Sequence, residues 1–577
     1  MERYNSLHFF SVFQYPIDKL KKICYTQFNL KGKERFILEL SIYQTKILDY
    51  FKNNPNSNMY INAKAGSGKT FIATQMLKDV QDRSLYVAFN KSIAEEMKTK
   101  ITNPKIQINT IHALCYSVLI YNLEQEQKTE LVKNKGNLDN FKIYKIIDEL
   151  CNKDNSKKYN FELKEFLKEN YIQLYNLTRL KYINLNSSAE ELDGELKDIV
   201  KEHGLFIHEE FKCPFLELSN YIKRIDYLSF KQFEEDKVYD FTDMLYITLK
   251  KLQSGDWKLP GWHYYQNIVV DECQDLSTIQ LFLLKYFKKK DGRYIFCGDV
   301  HQAIYAFSGA NSYSCMLIKK WFAPIEEFEL PINYRCSTSH LDYVNKKFDI
   351  GIMARPNAPK GTITIIDKEE AVEKIQPGDF LIGRKNKWLM PMIIKLVKKG
   401  KPVYIKDVAF VDNIKNTIKK QKINTVNELN RKIVDKETKL KKKIEQMKQA
   451  KDTAQQTVEE TNNHLLDTFN IIKLLIEAYK ETHTNMRIDI FNNYIDKLLN
   501  TTYSKDCIFV TSIHCVKGLE APNCFILNKG EPTISGSTGF MTKEQRIQEM
   551  NLSYVALTRA QENLYLVKPE GEEYGSK

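Results

Sequence analysis

The string Ala63-Lys-Ala-Gly-Ser-Gly-Lys-Thr70 limits what this chain can fold into more than any other. It follows the apolar run Met59-Tyr-Ile61 and precedes Phe71-Ile-Ala-Thr-Gln-Met-Leu77, whose pattern predicts a helix. A strand feeding a glycine-rich turn that opens a helix aims backbone N–H groups and the positive helix end at one point, where phosphate can sit. Ala65, Gly66, Ser67 and Gly68 form the turn. Lys69 supplies a mobile cation for terminal phosphates, and Thr70 a hydroxyl for Mg²⁺. Ala63 stands where the usual pattern has its first glycine.

A cradle of this kind works with acids at the end of a neighbouring strand. The β-branched run Asn267-Ile-Val-Val270 is followed at once by Asp271-Glu272-Cys273-Gln274-Asp275. Asp271 is expected on Mg²⁺ or one shell behind it, and Glu272 as the general base for water. Tandem acids are also common at solvated strand ends, so the pairing with the glycine-rich turn is what gives them weight. A further strand-like run, Tyr294-Ile-Phe-Cys297, leads into Gly298-Asp-Val-His-Gln302-Ala-Ile-Tyr305-Ala-Phe307-Ser-Gly-Ala310.

With these motifs the chain resembles superfamily 1A DNA helicases of the UvrD/Rep/PcrA group. The resemblance runs in order through nearly the whole sequence. Gln44, in Leu40-Ser-Ile-Tyr-Gln44, is similar to the adenine-reading glutamine upstream of the cradle. Tyr86-Val-Ala-Phe-Asn-Lys91 and Thr110-Ile-His-Ala-Leu114 resemble the two DNA-contacting motifs that follow, and they also resemble the F-box DNA helicase group. Asp240-Phe-Thr-Asp-Met-Leu245 is similar to the acidic-apolar element before the Asp-Glu strand. Leu330-Pro-Ile-Asn-Tyr-Arg335, Thr511-Ser-Ile-His-Cys-Val-Lys-Gly-Leu-Glu520 and Tyr554-Val-Ala-Leu-Thr-Arg-Ala560 resemble the motifs of the second motor domain.

The resemblance implies an α/β fold of two RecA-like P-loop lobes with ATP and Mg²⁺ between them. Lys69, Thr70, Asp271 and Glu272 would serve one side, and Arg335 and Arg559 would reach the γ-phosphate from the other. Gln302 would sense that phosphate, Tyr334 stack on adenine, and Glu520 contact the ribose. Phe89, Tyr305 and Phe307 match positions where the family stacks bases, and Asn90, His112 and His514 match phosphate or sugar contacts. The aromatics could equally be core packing, and the histidines satisfied internal ones. Phe71 and Ser308 depart from the family, each standing where arginine is usual.

The implied activity is an ATP-dependent DNA helicase moving 3′→5′ on single-stranded DNA, in replication, repair or recombination. Its partners would be single-stranded and tailed duplex DNA. Two alternatives stand beside it: a translocase that strips proteins from DNA with little unwinding, and a non-catalytic nucleic-acid scaffold. Intact Lys69, Asp271, Glu272 and Arg559 speak against the scaffold.

Among 577 residues, 86 Lys+Arg against 73 Asp+Glu give a net charge of +13, which suits a polyanionic partner. Eleven cysteines without a metal-ligand rhythm read as reduced, packed thiols. No secretory leader and no membrane-length apolar run is recognised, so the expectation is a soluble intracellular protein in a cytoplasm or nucleoid, a nucleus or a viral replication compartment.

The expected organisation is an N-terminal extension (1–35), a first lobe in two parts (36–114 and 238–325) and a helical 1B-like insertion (115–237). A second lobe follows, also in two parts (326–405 and 505–577), around a helical hairpin in the 2B position (406–504). Val426, Leu429, Ile433, Leu440, Ile444 and Met447 recur at three-to-four spacing and predict a long amphipathic helix that returns as a hairpin. Between Lys415 and Lys451, basic residues outnumber acids by about three to one, so this insert could meet duplex DNA or a protein partner, or simply present a solvated face.

Overall fold

Most strands among the described residues assemble into two six-stranded parallel sheets whose central strands are buried on both faces. The computed structural model describes residues 40–129, 137–153, 161–203, 205, 218–305, 309–310, 313–449, 455–527 and 543–568. The expected N-terminal extension (1–35) lies outside these residues, as do Phe307 and Ser308.

The first sheet contains β1 (Asn58–Ala63), β2 (Ser84–Val87), β3 (Ile106–Asn109), β4 (Tyr265–Val270), β5 (Lys288–Gly298) and β6 (Ile325–Leu330), in the order β3-β2-β4-β5-β1-β6. Alternate residues serve opposite cores: Met59, Ile61 and Val269 pack on one face, and Tyr60, Ile268 and Val270 on the other. Two covered faces explain the near-continuous apolar runs. Pairing of Val87 with Val270, Val270 with Phe296, and Asn62 with Gly298 brings the strand ends to one edge. The cradle after β1 and the acids after β4 therefore share that edge.

The second sheet contains β7 (Thr362–Ile366), β8 (Phe380–Gly383), β9 (Val403–Ile405), β10 (Ile508–Ser512), β11 (Ala521–Leu527) and β12 (Ala560–Val567), in the order β7-β12-β11-β8-β10-β9. Its faces alternate in the same way, with Leu381 and Val510 on one and Ile382 and Phe509 on the other.

Two expected boundaries shift. The strand Ile325–Leu330 pairs along β1, so the first sheet extends to Leu330 rather than stopping at 325. The helix Ile111–Thr129 spans the expected 114/115 division and packs by Leu114, Val118 and Leu119 on the first sheet. The insert at 406–504 packs on the second sheet. Val411, Ile414, Val426, Leu429, Ile433, Leu475, Ile476, Phe491 and Ile495 share one core with Leu381 and Val510 of the second sheet. Helices Val426–Gln449 and Gln455–Lys480 do pair, with Lys473 Nζ 2.6 Å from Glu437 Oε2. Their apolar stripe had to be covered, and the nearest uncovered apolar surface was the sheet of their own lobe.

Helices Lys142–Lys153, Phe161–Lys181, Ala189–His203 and Leu218–Asp236 have a core of their own, including Ile147, Leu174, Leu196 and Ile222. A buried ion cluster ties them to the first lobe. Lys142 Nζ lies 2.7 Å from Asp243 Oδ2, and Arg179 lies 2.6 Å from Asp243 Oδ1 and 2.7 Å from Asp240 Oδ2. The acidic-apolar element around Asp240 thus anchors the helical unit. Among the described residues, no helix is long and apolar enough to cross a membrane.

Candidate nucleotide site and nucleic-acid face

The glycine-rich turn takes a conformation that side chains rarely adopt. Gly66 and Gly68 have φ of 65° and 81°, and Gly68 occupies the N-cap of the helix Lys69–Lys78 without a side-chain cap. That leaves first-turn N–H groups directed into the turn, as an anion cradle requires. A Cβ at Gly66 would come within 2.7 Å of Asn333 Nδ2 and 3.0 Å of Arg335 Cβ. The Ser67 hydroxyl is buried and has no hydrogen-bond partner. A narrow glycine cradle with an unsatisfied hydroxyl and a lysine fits a polyphosphate. Ala63 remains in β1, fully buried and paired with Leu330, so no glycine is needed there.

Gln44 is oriented by its own helix start. Ser41 and Gln44 form a reciprocal capping box at the helix Ile42–Asn53, with Ser41 N donating to Gln44 Oε1 at 3.0 Å. The Tyr334 hydroxyl donates to the same oxygen at 3.4 Å. Gln44 Nε2 and the Tyr334 ring lie 3.3 and 4.0 Å from where a Cβ on Gly68 would stand. The two residues expected to hold the base thus converge above the turn.

Lys69 Nζ donates to Glu272 Oε1 at 2.6 Å and stands 3.8 Å from Asp271 Oδ1. Burial would push the Lys69 ammonium down, but Glu272 and Asp271 outweigh it and hold it above its ordinary value. Burial pushes the Glu272 carboxyl up; Lys69 and Lys517, with a hydrogen bond from Gln274 at 2.5 Å, reverse this and hold it well below the usual carboxylate range. Asp271 shifts upward, with burial prevailing over Lys69, and it accepts from the Tyr86 hydroxyl at 2.5 Å. Glu272 itself sits in the left-handed region at φ 52°, a strained backbone of the kind found at functional sites.

The second lobe closes on this turn. Asn333 Nδ2 donates to Ala65 O at 2.6 Å, while its Oδ1 accepts from the N–H of Arg335 at 2.8 Å and of Cys336 at 2.6 Å. The Tyr554 hydroxyl accepts from Ala65 N at 3.0 Å and donates to Asp299 Oδ2 at 3.1 Å. Gln302 Nε2 donates to that same carboxylate oxygen at 2.8 Å. Lys517 bridges the lobes: it pairs with Asp275, donates to Gln302 O at 2.7 Å and lies 3.6 Å from Glu272 Oε2.

Arg335 pairs with Glu520 and donates to Thr558 O at 3.2 Å. Glu520, expected at a ribose, therefore engages an arginine here. Arg559 is buried, and its guanidinium donates to Val555 O, Leu519 O and Thr558 Oγ1 at 2.7, 3.2 and 3.0 Å. Burial, with Arg335 beside it, lowers Arg559 to about 10.

The candidate nucleic-acid residues divide. Phe89 and Tyr305 come together, ring on ring at 5.0 Å with 24° between planes. The Tyr305 hydroxyl donates to His514 O at 3.2 Å, so His514 joins them. His112 stacks on Phe241 at 4.1 Å, and burial lowers it to about 4. Asn90 caps the helix Lys91–Lys100, accepting from Ile93 N at 2.9 Å. Asn333, Tyr554, Asp299, Asp275 and Lys517 were not among the expected site residues, although each stands in or beside a quoted motif.

Two six-stranded parallel sheets meet at a glycine-rich turn and paired acids, an α/β arrangement. Residues 45–323 match the model of the UvrD/REP helicase N-terminal domain family. The chain is 28% identical over 310 residues to a probable DNA helicase II homolog of Mycoplasma genitalium, covering 49% of this chain and 39% of the relative. It is 24% identical over 396 residues to the ATP-dependent DNA helicase Rep of Buchnera aphidicola, covering 61% and 56%. It is 22% identical over 306 residues to F-box DNA helicase protein 1 of Schizosaccharomyces pombe, covering 51% and 31%. The chain thus spans between about two-fifths and just over half of the first two of these relatives.

Proposed function

We propose that the protein is an ATP-dependent DNA helicase of the UvrD/Rep kind, translocating 3′→5′ on single-stranded DNA, with its two sheets as RecA-like lobes. The observation that carries this reading is the junction itself: Glu272, paired with Lys69 on one side, meets Lys517 from the other, and Arg335 stands against Gly66 of the turn. Gly66, Gly68, Ser67 and Lys69 would hold phosphates, Gln44 and Tyr334 the base, and Thr70 and Asp271 the Mg²⁺. Bound Mg²⁺ would neutralise charge on the phosphate oxygens. Glu272 accepts a proton from water, and Arg335 and Arg559 stabilise developing negative charge.

Coupling follows from shared residues. Lys517 lies over the Tyr305 ring at 5.2 Å and touches both Glu272 and the Gln302 carbonyl. A change in grip at Phe89 and Tyr305 therefore moves groups that contact the base. ATP turnover measured with single-stranded DNA, duplex and RNA, alongside strand displacement on duplexes tailed at either end, tests the reading. Stimulation by single-stranded DNA and displacement from a 3′ tail are expected; turnover indifferent to nucleic acid would overturn it.

A second reading, removal of bound proteins with little unwinding, is favoured by an insert packed against its own sheet. Displacement of a DNA-bound protein without strand separation would select it.

A further inference from the structure

The loop that leaves the first sheet after β5 is held by side chains of the second lobe. It contains the short 3₁₀ turn Val300–Gln302 and reaches Tyr305. So short a turn leaves carbonyls outside any regular ladder, and a carbonyl taken from water without a partner is costly. Four of these carbonyls are met from across the junction. Asn551 Nδ2 donates to Val300 O at 3.3 Å and to Ala303 O at 2.9 Å. Gln548 Nε2 donates to Ile304 O at 3.0 Å, and Lys517 Nζ to Gln302 O at 2.7 Å. Gln548, Asn551 and Tyr554 are spaced by three on the helix Lys543–Leu557 and share one face. Tyr554 completes that face by donating to Asp299 at 3.1 Å, and Arg559 follows just beyond the helix.

We propose that Asn551 is a positioning residue that fastens the Asp299–Tyr305 loop to the helix leading to Arg559, so that parting of the lobes draws Tyr305 off Phe89. An amide is the group this task needs. Its NH₂ carries two donors and no charge, which matches two carbonyls three residues apart. Asn551 is 6% exposed, so water does not readily replace it. At the Tyr305 end the first lobe supplies the stacked ring of Phe89. The second lobe supplies Lys517 Nζ, 5.2 Å over the same ring, and the His514 carbonyl, which accepts from the Tyr305 hydroxyl at 3.2 Å. The bonds to the second lobe together outweigh one ring contact, so the loop travels with that lobe.

The consequence for turnover rests on the proposed motor; the fastening of the loop does not. Gln302 lies inside the fastened segment, and its side chain donates to Asp299 Oδ2 beside the Tyr554 hydroxyl. Occupation of the Phe89–Tyr305 pair by a base therefore reaches the helix before Arg559 through Asn551. Without Asn551 the two events separate, although no group facing the nucleotide has been removed.

Asn551→Leu keeps the volume and removes both donors; Asn551→Ala serves if leucine disturbs folding. ATP turnover with and without oligo(dT), and hydrogen exchange of the peptide carrying residues 299–305, are measured on the full chain. Turnover without DNA and the KM for ATP are expected within about twofold of the parent. Stimulation by oligo(dT) is expected to fall about 10- to 10²-fold. Loop amides should exchange about 10-fold faster, as loss of two ordinary hydrogen bonds implies. Added to Tyr305→Ala, the Asn551 change should cost no further stimulation. Basal and stimulated turnover falling together with the unfolding midpoint mark a merely structural role and overturn the proposal. Unchanged loop exchange overturns the fastening, and faster exchange with stimulation intact overturns the coupling. A parent protein that single-stranded DNA does not stimulate is a failure of the proposed function, and the loop exchange still decides whether Asn551 fastens it.

Discussion

Lys517 Nζ stands 3.6 Å from Glu272 Oε2 while pairing with Asp275, so one ammonium from the second lobe restrains two acids of the first. Its side chain is 7% exposed, and that of Asp275 is fully buried. Burial raises Asp275 to about 6 against the pull of Lys517. Glu272 is held low, and a carboxylate held far below working pH is a weak proton acceptor. In the proposed reaction the junction therefore joins lobe contact to base strength.

Lys517→Met removes a positive charge from both acids, so their pKa values rise. The acid limb of the pH–rate profile is expected to move to higher pH, while the protein loses about 3–5 kcal/mol from an uncompensated buried Asp275. Urea unfolding at pH 7.5 and a rate profile from pH 5 to 9 measure the two effects. An unmoved acid limb would separate Lys517 from the base.

Glu272→Gln keeps the hydrogen-bonding shape beside Lys69 but removes the proton acceptor. Turnover is expected to fall about 10²–10⁴-fold with nucleotide affinity nearly unchanged. Filter binding of labelled nucleotide against steady-state turnover separates the two. Lys69→Met, by contrast, should lose binding as well.

Arg335 stands against Gly66 of the cradle and donates to the carbonyl of Thr558, the residue before Arg559. Arg559→Ala is expected to cost about 10³–10⁵-fold in turnover. Arg559→Lys should rescue little, because three oxygens at fixed positions match a guanidinium fork.

Phe89 and Tyr305 stack on one another, and parting of these rings would open two faces to a base. Phe89→Ala is expected to weaken single-stranded DNA binding by about 1–3 kcal/mol without loss of nucleotide affinity. Fluorescence anisotropy with a labelled oligonucleotide reads this.

His263 and His112 are both held neutral. Burial, with Arg83 nearby, lowers His263 to about 4, and burial alone lowers His112 to about 4. The His263 ring sits between the Ser117 and Tyr265 hydroxyls at 2.9 Å each. Between pH 4 and 6.5 the unfolded chain binds these protons and the folded chain does not. Stability is therefore full above about pH 6.5 and falls as pH drops towards 4, by at most about 1.4 kcal/mol per pH unit for each histidine. Urea midpoints at pH 7.5 and 5.0 should differ accordingly, and His263→Phe should flatten the slope.

The local chemistry was legible in the sequence because it is written by neighbours. Ser41 and Gln44 are a capping-box spacing, Gly66 and Gly68 punctuate a strand-to-helix turn, and Asp271 follows a β-branched run. Backbone sterics and strand burial act over a few residues, so short strings suffice. Other features were decided only in three dimensions. The strand Ile325–Leu330 joined the first sheet because β1 offered a free edge, and the 406–504 helices lay on the second sheet because that surface was apolar and near. Lys517 reached Asp275 and Asn333 reached Ala65 across 242 and 268 residues of chain. No local pattern encodes such meetings: they depend on how two independently buried sheets dock, which is set by the summed packing of both cores.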